Sequence, residues 1–129
     1  MIVNIINMLK INQKLIPDIY STTETKTNKI WINNKPIYRK VVISNSISTF
    51  INTGISDYDD LTKLRVLVKQ TDTGDWRNIP WLYSYNNAIG GGNWAGGFYF
   101  TEGKLRFQMG TDLSNISKMI AIIEYTKTT

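Results

Sequence analysis

The chain of 129 residues contains neither cysteine nor histidine. Without cysteine there is no disulfide framework and no thiolate to act as nucleophile or metal ligand. Without histidine the commonest general base and the commonest nitrogen ligand for metals are missing, and a Ser-His-Asp triad is impossible. A glycosidase needs two carboxylates held across a cleft. The candidate acids all lie in predicted turns, and they are Asp57, Asp59, Asp60, Asp72, Asp75 and Asp112. We therefore predict no enzymatic activity, no metal and no cofactor.

Long apolar runs and targeting signals are also missing. The apolar N-terminal segment is interrupted by Asn4, Asn7 and Lys10, too early for a membrane span. No basic region precedes it and no small-x-small cleavage site follows it, so a signal peptide is not predicted. The Gly-rich residues 86–97 lack the Gly-Lys-Ser/Thr of a phosphate loop. We therefore expect no membrane insertion and no nucleotide cofactor.

Residues 1–28 are predicted to be an anchoring arm followed by a linker. The apolar residues at the start suit one face of a helix in one spacing and a strand in another. Such a segment either packs on its own domain or docks into another chain. After Pro17, residues 21–28 are almost wholly polar, which predicts an extended, mobile linker. The candidate anchoring residues are Ile2, Ile5, Ile6, Leu9, Lys10 and Lys14.

Positive charge is concentrated in the first 40 residues. They hold seven cations and two anions, whereas the remaining residues hold eight of each, so the whole formal excess of +5 lies in the arm and the first hairpin. An acidic partner surface, nucleic acid, or solvated lysines that keep a strand edge soluble each account for this distribution.

Residues 29–129 are predicted to form one β domain. Asn33 and Asn34 lie between two short apolar runs and predict a two-residue hairpin of the primed type, and Glu102-Gly103 is a second such signal. Residues 61–70 alternate as a strand does, and residues 117–126, with the apolar run 119–123, predict a central last strand. With no convincing interior helix, the pattern predicts an antiparallel, jelly-roll-like β-sandwich of about six to eight strands.

Aromatic residues provide the candidate ligand site. Trp81, Tyr83 and Tyr85 share one face of a predicted strand over residues 76–85, as core wall or as a shallow groove. Asn93 and Trp94 lie in the Gly-rich stretch, which predicts a mobile loop that offers a planar ring to a sugar, or a hairpin connection whose Trp94 folds back on the sheet edge. Acidic residues 57–60 lack the spacing of a calcium loop and are interpreted as a polar turn.

Two segments resemble a known family. Trp31 with residues 35–40 (Lys-Pro-Ile-Tyr-Arg-Lys) is similar to the opening of small C-terminal domains of bacteriophage tail fibres and other virion appendage, or minor structural, proteins. Residues 123–128 (Ile-Glu-Tyr-Thr-Lys-Thr) resemble the close of the same domains. Asn34 replaces the usual Gly, and the Gly-rich stretch around Asn93 is not part of the pattern. The resemblance implies a virion location, a homotrimer, and attachment to another virion protein through the N-terminus.

Three functions follow as hypotheses. The first is a tail or head fibre anchored by its arm, with a β domain that binds a host-surface glycan or only decorates the particle. The alternative is a stand-alone carbohydrate-binding module with Trp76, Trp81 and Trp94 as its platform. Nucleic-acid binding through the basic arm ranks last, because the β-domain sequence shows no basic stripe with interleaved aromatic residues; we predict no nucleic-acid partner.

Overall fold

A computed structural model describes residues 18–46, 50–79, 81–83, 94–109 and 116–129. These residues form nine β-strands and no helix, one strand more than the upper end of the predicted range. The predicted anchoring residues Ile2, Ile5, Ile6, Leu9, Lys10 and Lys14 lie outside the described residues. The strands are β1 (Thr25–Ile30), β2 (Pro36–Ser44), β3 (Phe50–Asn52), β4 (Leu61–Gln70), β5 (Trp76–Ile79), β6 (Trp81–Tyr83), β7 (Trp94–Thr101), β8 (Lys104–Met109) and β9 (Ile116–Tyr125).

The strands form two antiparallel sheets, which confirms the predicted all-β sandwich. Sheet A has the order β1-β2-β9-β4-β5, and sheet B has the order β3-β8-β7-β6. The pairs β2·β9 and β3·β8 join early strands to late ones, as a jelly roll does. By contrast, β4 pairs with β5, and β6, β7 and β8 pair in sequence order. The apolar β9 is the central strand of sheet A, as its composition predicts.

The core lies between the inner faces of the two sheets. In β4, Val66 and Val68 are fully buried whereas Arg65 is exposed, so the alternation predicted for this strand is confirmed. The pleat puts alternate residues of each strand into the core. One cluster of buried residues contains Val66, Val68, Ile79, Met119, Ala121 and Ile123 of sheet A with Leu105 and Phe107 of sheet B.

The two hairpins predicted from turn residues differ in the outcome. Between β7 and β8, Glu102 (φ 51°) and Gly103 (φ 73°) both take positive φ, which confirms a primed two-residue turn. Between β1 and β2 the two-residue prediction is wrong. The Trp31 N–H donates to the Lys35 carbonyl (2.8 Å) and the Asn34 N–H to the Trp31 carbonyl (2.9 Å). Only Asn34 takes positive φ there (66°), which is the geometry of a three-residue loop.

The polar segment before this hairpin is a strand in its second half. Thr25 pairs with Arg39 and Lys26 with Tyr38, so the mobile linker predicted for residues 21–28 is wrong from Thr25 onward. The predicted boundary between residues 28 and 29 therefore falls inside β1. Because β1 is an edge strand with mostly exposed side chains, it carries almost none of the apolar pattern that identifies buried strands.

The two segments that carry the family resemblance lie side by side. Arg39 of β2 is opposite Glu124 of β9, and the ion pair between them is buried, with 2.6 Å from Nη2 to Oε1. Arg39 also binds Asp18 (2.5 Å) and lies 4.1 Å from the centre of the Tyr20 ring. Burial disfavours the charged guanidinium, but the hydrogen bonds to Asp18 and Glu124 outweigh this cost and raise the pKa of Arg39. The hydrogen bond that Arg39 donates to Asp18 also lowers the pKa of the Asp18 carboxyl group.

Two aspartates within residues 57–60 bind side chains of the β1–β2 loop. Asp59 binds the Lys35 ammonium (2.8 Å), and Asp60 accepts a hydrogen bond from the Trp31 indole (3.0 Å). Among the residues that the structure describes, no group of three or more acidic side chains is placed to hold a metal ion. The acidic run is a loop, in agreement with its interpretation as a polar turn.

Candidate functional site

The structure divides the predicted aromatic strand between the two sheets. β5 belongs to sheet A and β6 to sheet B, so the single strand predicted over residues 76–85 is wrong. Pro80 separates them in the sequence, and proline has no N–H with which to continue a strand ladder. Trp76 is the first residue of β5 and is 48% exposed. Since Trp76 lies in one sheet and Trp81 and Trp94 in the other, the three do not form a platform on a single sheet.

Three of the predicted ligand-binding residues are neighbours at the edge of sheet B. Tyr83 pairs with Trp94, and Trp81 pairs with Gly96. Trp94 begins β7, so its placement in a loop is wrong. Asn93 and Tyr85 lie outside the described residues. The backbone thus brings Trp94 next to β6 through strand pairing.

A row of aromatic and basic side chains crosses the outer face of sheet B. Tyr99 of β7 is opposite Arg106 of β8, and Arg106 is opposite Phe50 of β3. Their sequence neighbours Phe98 and Leu105 pack into the core, so the pleat turns this row outward. Tyr99 and Phe50 are each 45% exposed. We call Tyr99, Arg106 and Phe50 the sheet B row.

A second cation joins this row. Lys104, which is opposite Asn52, has its Nζ 5.0 Å from the centre of the Phe50 ring, and the Arg106 Cζ lies 5.7 Å from the same point. Within the described part of the chain, neither Lys104 nor Arg106 takes part in an ion pair. The row therefore presents aromatic surface and two positive charges together.

An open groove of about 590 Å³ continues from the row at the end of the sandwich. Lys104, whose ammonium group lies beside Phe50, also lines the groove, so the groove adjoins the row. The groove has the size of a small-molecule site and a mixed polar and aromatic lining. Its lining residues are Asn52, Gly54, Ile55, Ser56, Tyr58, Glu102, Gly103 and Lys104.

Hydrogen bonds hold the groove walls in place. The Gly103 carbonyl accepts from the Thr53 N–H (3.0 Å) and hydroxyl (2.6 Å), which ties the β7–β8 turn to the segment after β3. The Tyr58 hydroxyl accepts from the Glu102 N–H (3.0 Å), and the Tyr58 ring meets Phe100 edge-on with centroids 4.9 Å apart. A groove fixed in this way loses little conformational freedom when a ligand binds.

The arrangement is suited to binding. Aromatic rings, an amide, a hydroxyl and two cations lie around a shallow surface, and among the described residues that line the groove Glu102 is the one carboxylate. None of the sequence signals above singles out Phe50, Tyr99 or Arg106, because the pairing of β3 with the β7–β8 hairpin joins segments that are distant in sequence. The usable local signal is the alternation of Phe98, Tyr99 and Phe100, which places the tyrosine on the face opposite two core residues.

No helix in the described part of the chain is long and apolar enough to cross a membrane. Comparison of the chain with protein-family models, curated proteins and solved structures finds no match.

Proposed function

We propose that the protein is a structural appendage protein of a bacteriophage virion, a tail or head fibre, that attaches to a host-surface glycan through the outer face of sheet B. The observation that carries the glycan part is the sheet B row, in which two half-exposed rings flank an arginine on a rigid sheet. The virion part rests on the resemblance of Trp31, residues 35–40 and residues 123–128.

The chemistry of the row suits a sugar polymer. One face of a pyranose ring presents C–H groups, which pack on an aromatic face, while its hydroxyls need hydrogen-bond partners around the rim. Tyr99 supplies an aromatic face, and Arg106 and Asn52 supply polar groups on the same side of the sheet. Exposed apolar surface of this kind commonly marks an interaction site.

The N-terminal residues 1–17 are the proposed attachment to another virion protein, and the assembled form is proposed to be a homotrimer. The apolar composition of this segment and the family resemblance support both proposals. The alternative function is a stand-alone carbohydrate-binding module, which would use the same row without any virion partner. Attachment of the chain to phage particles discriminates between the two.

Substitution of the row tests the glycan proposal. We expect Tyr99→Ala and Phe50→Ala each to weaken binding of the full chain to an array of bacterial surface polysaccharides about tenfold, a loss of about 1.4 kcal/mol. Trp76→Ala is the matched control, because its ring is equally exposed but lies in sheet A. If both row variants bind as the unmodified chain does while Trp94→Ala does not bind, the site lies at the β6–β7 edge instead.

A further inference from the structure

We infer that the glycan bound by the sheet B row is anionic, and that Lys104 and Arg106 bind its carboxylate or phosphate groups. This inference rests on the proposed glycan-binding function. It adds the charge class of the ligand and assigns two binding residues.

Lys104 and Arg106 bring two like charges close together. Both cationic groups lie within 6 Å of one ring centre, at 5.0 Å for Lys104 and 5.7 Å for Arg106. Because Lys104 and Arg106 are two residues apart in β8, both side chains leave the same face of the sheet, and like charges on one face repel each other. A bound anion between them would relieve this repulsion. Arginine is well suited to this role, because its planar guanidinium matches a carboxylate or a phosphate with two parallel hydrogen bonds.

The acidic side chains of the described ion pairs bind cations outside the sheet B row. Asp18, Glu24 and Glu124 bind cations of sheet A or of the C-terminal segment, and Asp59 binds Lys35. Of the described ion pairs, none involves a cation of the sheet B row. The positive charge of this face is therefore not balanced by an ion pair with a described carboxylate.

The charges around the sheet B row favour a glycan over a nucleic acid as the ligand. The row does place a cation between aromatic rings, as faces that bind single-stranded nucleic acid do. However, it offers two cations, and the groove beyond it is lined by Glu102. A glycan presents hydroxyl donors on its units, which can donate hydrogen bonds to the Glu102 carboxylate while a charged group of the same polymer binds on the row, whereas a single DNA strand has no sugar hydroxyls to offer there. The distribution of charge favours the polysaccharide.

The test measures binding of the full chain to four probes by affinity electrophoresis: polygalacturonate, a glycerol-phosphate polymer, neutral dextran and a thymidine oligonucleotide. We expect at least one acidic polysaccharide or polyol-phosphate probe to bind roughly tenfold more tightly than dextran, with affinity that falls as salt rises. The double variant Lys104→Gln/Arg106→Gln should lose that preference. The double variant Lys63→Gln/Arg65→Gln is the matched control, since it removes one exposed lysine and one exposed arginine from sheet A.

The outcomes separate the inference from the proposed function. Equal binding of dextran and the acidic probes, unchanged in Lys104→Gln/Arg106→Gln but lost in Tyr99→Ala, would overturn the anionic ligand and leave the glycan function standing. Tighter binding of the oligonucleotide than of every polymer would overturn both in favour of nucleic acid. If both double variants lose the preference for acidic probes to the same extent, the preference depends on the overall charge of the protein. That result would overturn the assignment of Lys104 and Arg106 as the residues that bind the anion.

Discussion

Arg39 carries a buried charge that the sequence pattern does not predict. Its side chain is 1% exposed, and that of its partner Glu124 is 4% exposed. Both residues belong to the segments that resemble virion appendage domains, and so does Tyr125, which is fully buried and donates a hydrogen bond to Glu24. In this chain these residues stabilise the fold and lie away from the sheet B row. The residues that carry the resemblance therefore belong to the framework of the domain, whereas the sheet B row lies outside them.

The buried pair leads to a stability prediction. Glu124→Gln should lower the free energy of unfolding by about 3 kcal/mol, because it leaves a buried guanidinium without its main counter-charge. Urea denaturation measures this loss. Asp59→Asn is the control, since the Lys35–Asp59 pair is largely exposed and pairs of that kind contribute about 1 kcal/mol or less. A loss no larger for Glu124→Gln than for the control would contradict the importance assigned to the buried pair.

At the scale of elements, the β7–β8 turn is the most constrained feature near the candidate site. Gly103 has a φ of +73°, and a Cβ at this position would lie 2.4 Å from the Ile55 carbonyl oxygen. The turn can be this close to the segment after β3 only because residue 103 has no side chain. The same contact positions Glu102 and Lys104 at the groove, so turn geometry and site geometry are linked.

Alanine substitutions at three glycines distinguish the cost of a positive φ from the cost of a steric clash. Gly103→Ala should destabilise the protein by about 3 kcal/mol, from unfavourable φ together with a backbone clash. Gly74→Ala should cost only about 1 kcal/mol, because its φ is +71° but the nearest atom is 3.9 Å away. Gly97→Ala meets no atom within 4 Å and should be close to neutral. Urea midpoints of the three variants test this order, and equal losses at positions 74 and 103 would refute the contribution of the clash.

At the scale of the whole molecule, the fold separates charges that are balanced along the sequence. Beyond residue 40 the eight cations and eight anions cancel. In the structure, Lys104 and Arg106 share the outer face of sheet B, whereas Asp57, Asp59 and Asp60 lie together in the loop between β3 and β4. A chain segment with no net charge thus presents two cations on one face of sheet B.

Truncation tests where the folded domain begins. A chain that starts at Lys29 lacks Asp18, Glu24 and the first four residues of β1, and should unfold at lower urea than a chain that starts at Asp18. Equal midpoints would show that β1 contributes nothing to stability. Light scattering of the full chain checks the proposed assembly in the same experiments, with a trimer expected and a monomer contradicting the appendage proposal.

The sequence by itself determined the features that depend on local physics. Alternation gave the bounds and buried face of β4, a continuous apolar run predicted the central β9, and Glu102-Gly103 predicted a primed turn, because each signal is contained within a few neighbouring residues. Only the tertiary structure decided which strands are neighbours. Pairing with β2 made a strand of the polar residues 25–28, and β5 and β6 went to different sheets. The pairing of β3 with β8 brought Phe50 into one row with Tyr99 and Arg106, because the sheet places in register residues that are far apart in the chain.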